Sequence, residues 1–238
     1  ALPAERQGEV PHRYVLGLYE FLDRLGKRYP DMLIEGCSGG GGRFDAGMLH
    51  YTSQIWCSDD TDAIERLKIQ YGTSFAYPVS AVGSHVSACP NHQTGRIVPF
   101  ESRATVAMAG TFGYELDPAK LSEEEKQQIQ EQIAEFKKYY DVIHFGNYYR
   151  LTNAMEEGPY AAWEFAKEDG SEALVSVVAS RVRTNDPGVR IRLRGLKENQ
   201  IYLVNGVEYP GGALMHGGLL LEEAKKEYQS WNYHIVMK

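Results

Sequence analysis

Apolar residues recur at three and four positions through 12–28: Val15, Leu18, Tyr19, Leu22 and Leu25. That spacing predicts a helix. Lys27 and Arg28 fall in its last turn, where the helix dipole favours cations, and Pro30 stops it. The period then shortens. Met32-Leu33-Ile34 predicts a short strand, after which the chain breaks into Gly39-Gly40-Gly41-Gly42. Phe44, Met48 and Tyr51 share one face of a brief helix or turn over 43–51. Gln54-Ile55-Trp56-Cys57 predicts a second strand. A helix over 61–71 follows, with Ile64, Leu67 and Ile69 apolar and Glu65 and Arg66 solvated. An extended segment over 79–87, a nearly apolar and therefore buried helix over 101–109, and a glycine-punctuated strand over 110–117 continue the series. The next helix, 122–140, opens on a capping box, Ser122 with Glu125, and turns Ile129, Ile133, Phe136 and Tyr140 inward.

Strand and helix thus alternate four times up to about residue 146. Such alternation predicts a parallel sheet, open or closed into a barrel. Four units are half of an eight-stranded barrel, and the chain opens on Ala1 rather than methionine, so the first half is expected outside it. The texture changes after Gly146. Short strands are predicted over 148–151, 161–165, 173–181, 189–193 and 201–204. Glu168-Asp169-Gly170, Asn185-Asp186-Pro187-Gly188 and Asn205-Gly206 punctuate them. Val189 to Leu193 alternates strictly, so one face is wet. The expected class is α/β: residues 1–146 form the second half of a (β/α)8 TIM barrel, and 147–238 a small antiparallel β-sandwich for support or oligomerisation.

Composition narrows the partners. The 238 residues carry a formal charge of −7 and no basic stripe, which disfavours nucleic acid and anionic membranes. No run of eighteen apolar residues occurs, so no membrane span is expected. The three cysteines, Cys37, Cys57 and Cys89, match no disulfide framework and point to a reducing, cytoplasmic setting. Cys37 and Cys57 read as small buried hydrophobes or as a pair lining a pocket. No zinc ligand set is present.

Two strand ends concentrate the chemistry. Glycines at 39–42 let the backbone approach a ligand closely. They lack the Gly-Lys-Ser/Thr of a phosphate loop, so room for a neutral polyol or a plain tight connection fits better. Arg43 and Asp45 are placed to pair, and Asp45 either caps the short helix or touches ligand. In Ser58-Asp59-Asp60-Thr61-Asp62, Asp60 or Thr61 suits a helix cap and Asp62 its first turn. Asp59 lies nearest the strand terminus, where a side chain enters a pocket. Clustered carboxylates raise at least one pKa, as a general acid requires. Magnesium binding is the alternative. Trp56 is core or pocket wall, and Trp163 is core. His85 and His92 complete no ligand set, and no serine-hydrolase elbow occurs. No cofactor and no metal are expected.

The run Cys37-Ser-Gly-Gly-Gly-Gly-Arg43-Phe44-Asp45, followed by Gln54-Ile55-Trp56-Cys57-Ser58-Asp59-Asp60-Thr61-Asp62 and on to Gly72, closely resembles the bacterial α-galactosidases of glycoside hydrolase family 36. Gly83 to Ser87, Arg103 to Asp117, and Tyr202 to Leu219 resemble them too. The resemblance implies a β-supersandwich, a (β/α)8 barrel and a C-terminal β-sandwich, and retaining hydrolysis of terminal α-galactosides such as raffinose, melibiose and stachyose. It implies that Asp59, ending strand six, is the acid/base and that Cys37 and Gly40 contact the sugar; Trp56, as pocket wall, is expected beside them in the substrate site. The family nucleophile sits in a Lys-Trp-Asp-Met-Asn-like motif that this chain lacks, as are the residues that grip the galactose hydroxyls. Ala46 and Ser53 stand where relatives often have proline.

The expected partners are therefore α-galactoside oligosaccharides, the missing N-terminal part of the same enzyme, and further copies in a homo-oligomer, tetrameric in relatives. The isolated chain is expected to be inactive. A raffinose-type galactosyltransferase and a non-catalytic sugar-binding or structural fragment are the competing readings.

Overall fold

The structure is a computed structural model that describes residues 3–182, 184 and 188–238. The chain divides into two compact units, Ala1–Asp59 and Asp60–Lys238.

In the first unit the expected helix runs from Val10 to Arg28. It is followed by β1 (Glu35–Gly36), a short helix (Ala46–Tyr51) and β2 (Gln54–Trp56). β1 and β2 are parallel, with Glu35 opposite Gln54 and Gly36 opposite Ile55. Leu22, Met48 and Ile55 form the core, with Leu18, Tyr19, Ile34 and Phe44 packed on it. The strand expected at Met32-Leu33-Ile34 forms two residues later. Of that triplet only Ile34 reaches the core, while Leu33 is 89% exposed.

The second unit begins with a helix, Ala63–Thr73, then β3 (Val82–Gly83) and β4 (His85–Ser87). A buried helix (Phe100–Ala107), β5 (Gly113–Glu115) and a long helix (Glu123–Phe145) follow. β4 and β5 are parallel, Val86 opposite Tyr114. The long helix carries the complete Ser122/Glu125 capping box. Its inner face is rotated from the expected one: Phe136, Tyr139, Val142 and Ile143 are buried, whereas Tyr140 is exposed. Tyr140 instead stacks on His144, with ring centroids 4.3 Å apart. Arg66, expected in solvent, is buried, because its guanidinium donates to Gly83 O (2.7 Å) and Gln70 Oε1 (3.2 Å).

The remaining strands are β6 (Asn147–Arg150), β7 (Tyr160–Ala166), β8 (Glu172–Ala179), β9 (Arg190–Ile191), β10 (Ile201–Val204), β11 (Val207–Pro210), β12 (Leu219–Leu220) and β13 (Ser230–Met237). Six form one antiparallel sheet in the order β11-β10-β13-β8-β7-β6, and β9 pairs β12 separately. Successive residues of β7 and β8 point to opposite faces, and both faces are covered. Ala161, Trp163, Phe165, Leu174 and Val178 meet Phe136, Val142 and Ile143 of the long helix. Ala162, Ala166, Ala173, Val175 and Val177 meet Ile191, Leu193, Leu214 and Leu219 on the other side. Two-sided burial explains why β7 and β8 read as continuous apolar runs rather than alternating ones. The turn expected at Asn185-Asp186-Pro187 lies outside the described residues.

β13 was not expected, yet it pairs with both β10 and β8. Its signal was present: Trp231, Tyr233, Ile235 and Met237 alternate onto one apolar face. The intervening Asn232 and His234 take polar partners, Ser176 (2.8 Å) and Glu172 (2.8 Å). Parallel strand–helix units with an antiparallel β-sandwich make this a partial (β/α) barrel followed by a small sandwich. Among the described residues no helix is long and apolar enough to cross a membrane.

Candidate functional site

The two parallel strand ends of the first unit deliver the glycine turn and the acidic run to one place. After β1 the chain turns through Ser38, Gly39, Gly40 and Gly41, all at positive φ (59°, 68°, 72° and 86°). Four consecutive left-handed residues are tolerable only where glycine removes the Cβ clash, and Ser38 is the strained member. Gly41 N–H donates to Cys37 O (2.8 Å) and closes the turn. The turn lies flat on the second strand end. A Cβ on Gly40 would sit 2.6 Å from Asp59 N and 3.2 Å from Asp59 Cγ. One on Gly41 would sit 2.8 Å from Cys57 O. Gly39 meets nothing within 4 Å. Gly40 and Gly41 are thus required by contact as well as by conformation.

Cys37 and Asp59 are exposed at this rim, and Cys57 is half-buried. Trp56, the last residue of β2, is buried at 9% exposure. Asp45 resolves to a cap: its Oδ1 accepts from Met48 N (2.8 Å) and from Tyr19 Oη (3.1 Å). Arg43 does not take Asp45. It donates to Tyr14 Oη at 2.8 Å and lies over that ring. Sequence reasoning missed both tyrosines, whose signal was their place on the 10–28 helix opposite the turn.

In the second unit Asp62, not Asp60 or Thr61, is the helix cap. It accepts from Ile64 N at 2.9 Å, and Asp60 Oδ1 accepts from Asp62 N at 2.9 Å. Asp62 is buried and also accepts from Thr94 Oγ1 and Arg96, each at 2.5 Å. Burial pushes its carboxyl up. The Thr94 and Arg96 bonds, the Ile64 N–H and the Arg96 charge together outweigh burial and hold it below the ordinary carboxylate range. Crowding of like charge therefore does not make Asp62 an acid. Asp60 and Asp62 serve the start of a helix, and among the described residues no three of His, Cys, Asp and Glu converge to hold a metal ion. His85 Nδ1 lies 3.7 Å from Glu115, across the β4–β5 pair.

Chemically, the rim offers an exposed carboxylate beside a backbone surface stripped of side chains, with a thiol at its edge. Gly39 has open space beside it, while its neighbour Gly40 abuts Asp59.

A family model described as Melibiase matches residues 1–146, and one for the glycosyl hydrolase family 36 C-terminal domain matches residues 160–235. The chain is 57% identical to the bifunctional alpha-galactosidase/sucrose kinase AgaSK of Mediterraneibacter gnavus, over 95% of this chain and 24% of that protein. It is 50% identical to alpha-galactosidase AgaA of Geobacillus stearothermophilus, over 99% of this chain and 32% of that one. A crystal structure of an AgaA variant in complex with raffinose matches it with a TM-score of 0.96 at 48% identity, covering 100% of this chain and 33% of that chain. The chain thus spans a quarter to a third of the length of these relatives. It belongs to glycoside hydrolase family 36.

Proposed function

We propose that the chain is the acid/base-bearing part of a retaining α-galactosidase. Its substrates are terminal α-galactosyl residues of raffinose-type oligosaccharides and melibiose. The observation that carries this reading is the contact of the glycine turn with Asp59, which holds the turn against an exposed carboxyl at the strand end. The raffinose complex of AgaA supports the substrate class. The matched ranges support a division into a barrel part, 1–146, and a sandwich domain, 147–238.

In the first step Asp59 gives its proton to the glycosidic oxygen as the C–O bond breaks. A second carboxylate, about 5–5.5 Å away in a retaining site, attacks the anomeric carbon. Asp59, now a carboxylate, then takes a proton from the water that releases galactose. Gly40 and Cys37 border the sugar, and Trp56 backs the strand end from within. The nucleophile would come from the part of the enzyme beyond this chain, so the isolated chain is inactive. The three free cysteines suit a cytoplasmic setting, and the sandwich suits assembly of several copies.

Asp59→Asn in the intact enzyme tests this. Turnover of raffinose should fall by roughly 10²–10⁴-fold, the usual contribution of a general acid. An aryl α-galactoside with an acidic phenol, which leaves without protonation, should lose much less in its first step. Equal losses on both substrates, or none, would remove Asp59 from the acid role. Turnover by the isolated chain near the intact enzyme's rate would refute the external nucleophile. Product analysis with a sugar acceptor separates hydrolysis from galactosyl transfer.

A further inference from the structure

A second recess lies wholly within the Asp60–Lys238 unit and uses none of Cys37, Gly40, Trp56 or Asp59. It is a cleft of about 220 Å³ between the 63–73 helix, the 153–161 loop and the 180–181 and 228 turns. Three observations define what it would hold.

The first is charge. Glu65, Glu156 and Glu157 are matched by Lys68, Arg96 and Arg181. The cations are partly committed inside the wall: Arg96 to Glu65 at 3.2 Å and Arg181 to Glu157 at 3.7 Å. A balanced lining attracts neither a polyanion nor a cation. It offers charged acceptors and donors to hydroxyl groups.

The second is backbone strain. Tyr228, on the cleft wall, has φ of 62°. For a bulky side chain that is an outlier of the kind that clusters at ligand clamps. Its N–H donates to Ala179 O (2.7 Å), and Arg96 lies 5.8 Å from its ring centroid. The chain is held in an unfavourable conformation that fixes an aromatic side chain in the cleft wall.

The third is size. Pockets for drug-sized ligands measure about 300–1,000 Å³, so this cleft takes something smaller. Asn153 and Ser180 add an amide and a hydroxyl to its lining; Asn153 also donates to Glu156 (2.7 Å) and Ser180 to Gly158 O (2.8 Å), so a ligand would use their remaining donor and acceptor capacity. An aromatic face with amide, hydroxyl and carboxylate groups around it fits a compact polyhydroxy ring.

We propose that this cleft is a second, non-catalytic binding site for a small neutral saccharide, with one sugar ring seated against Tyr228. Its ligand would be held there as a local store of substrate or product, by residues other than those of the acid/base chemistry.

The test is a titration of the 238-residue chain with raffinose, read by saturation-transfer NMR. Saturable millimolar binding is expected. Tyr228→Gly should weaken it at least tenfold while leaving the thermal midpoint unchanged or higher, because glycine accepts the left-handed backbone. A second variant, Lys68→Ala with Asn153→Ala, alters only side chains at the cleft and should weaken binding several-fold. Cys37→Ala should leave the part of the binding that depends on Tyr228 unchanged. The proposal fails if no saturable binding is seen, or if both cleft variants bind as the parent does. It also fails if Cys37→Ala abolishes binding, or if inorganic phosphate competes with raffinose for the cleft.

Discussion

Gly40 and Gly39 share a left-handed backbone and differ in what lies beside them. Alanine at 39 should cost about 1–2 kcal/mol, the penalty of that conformation for an L-residue. Alanine at 40 carries the same penalty and also drives a methyl group into Asp59 N, so it should cost more and lower raffinose turnover by displacing the acid. Denaturant melts of the two variants check the difference. Equal losses would mean that the turn relaxes away from Asp59. Asp62 obeys a different logic. Asp62→Ala removes a cap and leaves Arg96 without its buried partner, which should destabilise by about 3–5 kcal/mol. Because the folded-state pKa of Asp62 is depressed, its stabilisation is present above the ordinary carboxylate range. It is lost as pH falls through the folded value. Asp62→Asn should therefore flatten the acid limb of a stability-against-pH curve. The exposed position of Asp59 was legible in sequence because it stands nearest the strand end. The cap was not, because Asp60, Thr61 and Asp62 are all competent caps. Only the tertiary partners Thr94 and Arg96 choose among them.

Within single elements, burial on two faces decides most outcomes. β7 carries Glu164, fully buried, whose carboxylate accepts from Arg194 N (2.7 Å) and Gly195 N (3.1 Å). Burial raises its pKa, and those two N–H bonds with the Arg194 charge oppose the rise without cancelling it. The raised folded value means that the folded state holds the proton more tightly than the unfolded one. Glu164 therefore contributes most below the unfolded carboxylate range and loses ground as pH climbs through the folded value. Glu164→Gln keeps one acceptor and should cost about 1–2 kcal/mol in acid, with the gap to the parent narrowing as pH rises. Urea melts at several pH values read this directly, and a gap that widens with pH would refute it. The glutamate gave no sequence signal: a charge inside an apolar run reads as a wet position until the opposing loop is known. Helix faces were partly legible. The 122–140 periodicity found Phe136 but chose Tyr140 over Tyr139, since both fit a stripe and only the sheet beneath selects one. The 12–28 helix was legible almost to its ends.

For the molecule as a whole, the change of texture at about residue 146 marked where the antiparallel strands begin, at Asn147, and the two-sided sheet was read as a sandwich because its turns are so plainly marked. What stayed hidden was the pairing partner of β8, since sequence order places it more than fifty residues away. Exposed apolar side chains in the first unit, including Phe21 at 60% and Leu33 at 89%, give a further expectation. The chain alone should bind a hydrophobic dye and self-associate, and the part of AgaA that this chain does not cover should suppress both when added. Dye fluorescence and sedimentation with and without that part test it. A monomeric, dye-silent isolated chain would show that these side chains find cover unaided.

β13 enters between β8 and β10, yet it is the last strand of its sheet to be made. During translation β8 and β10 emerge with facing edges open, and neither can close on the other because the filler has not left the ribosome. Exposed edges of this kind recruit wrong partners. The sandwich must wait, half-built, until Trp231, Tyr233 and Ile235 are free. The yield of folded protein should therefore depend on how promptly residues 230–237 follow β10 out of the ribosome.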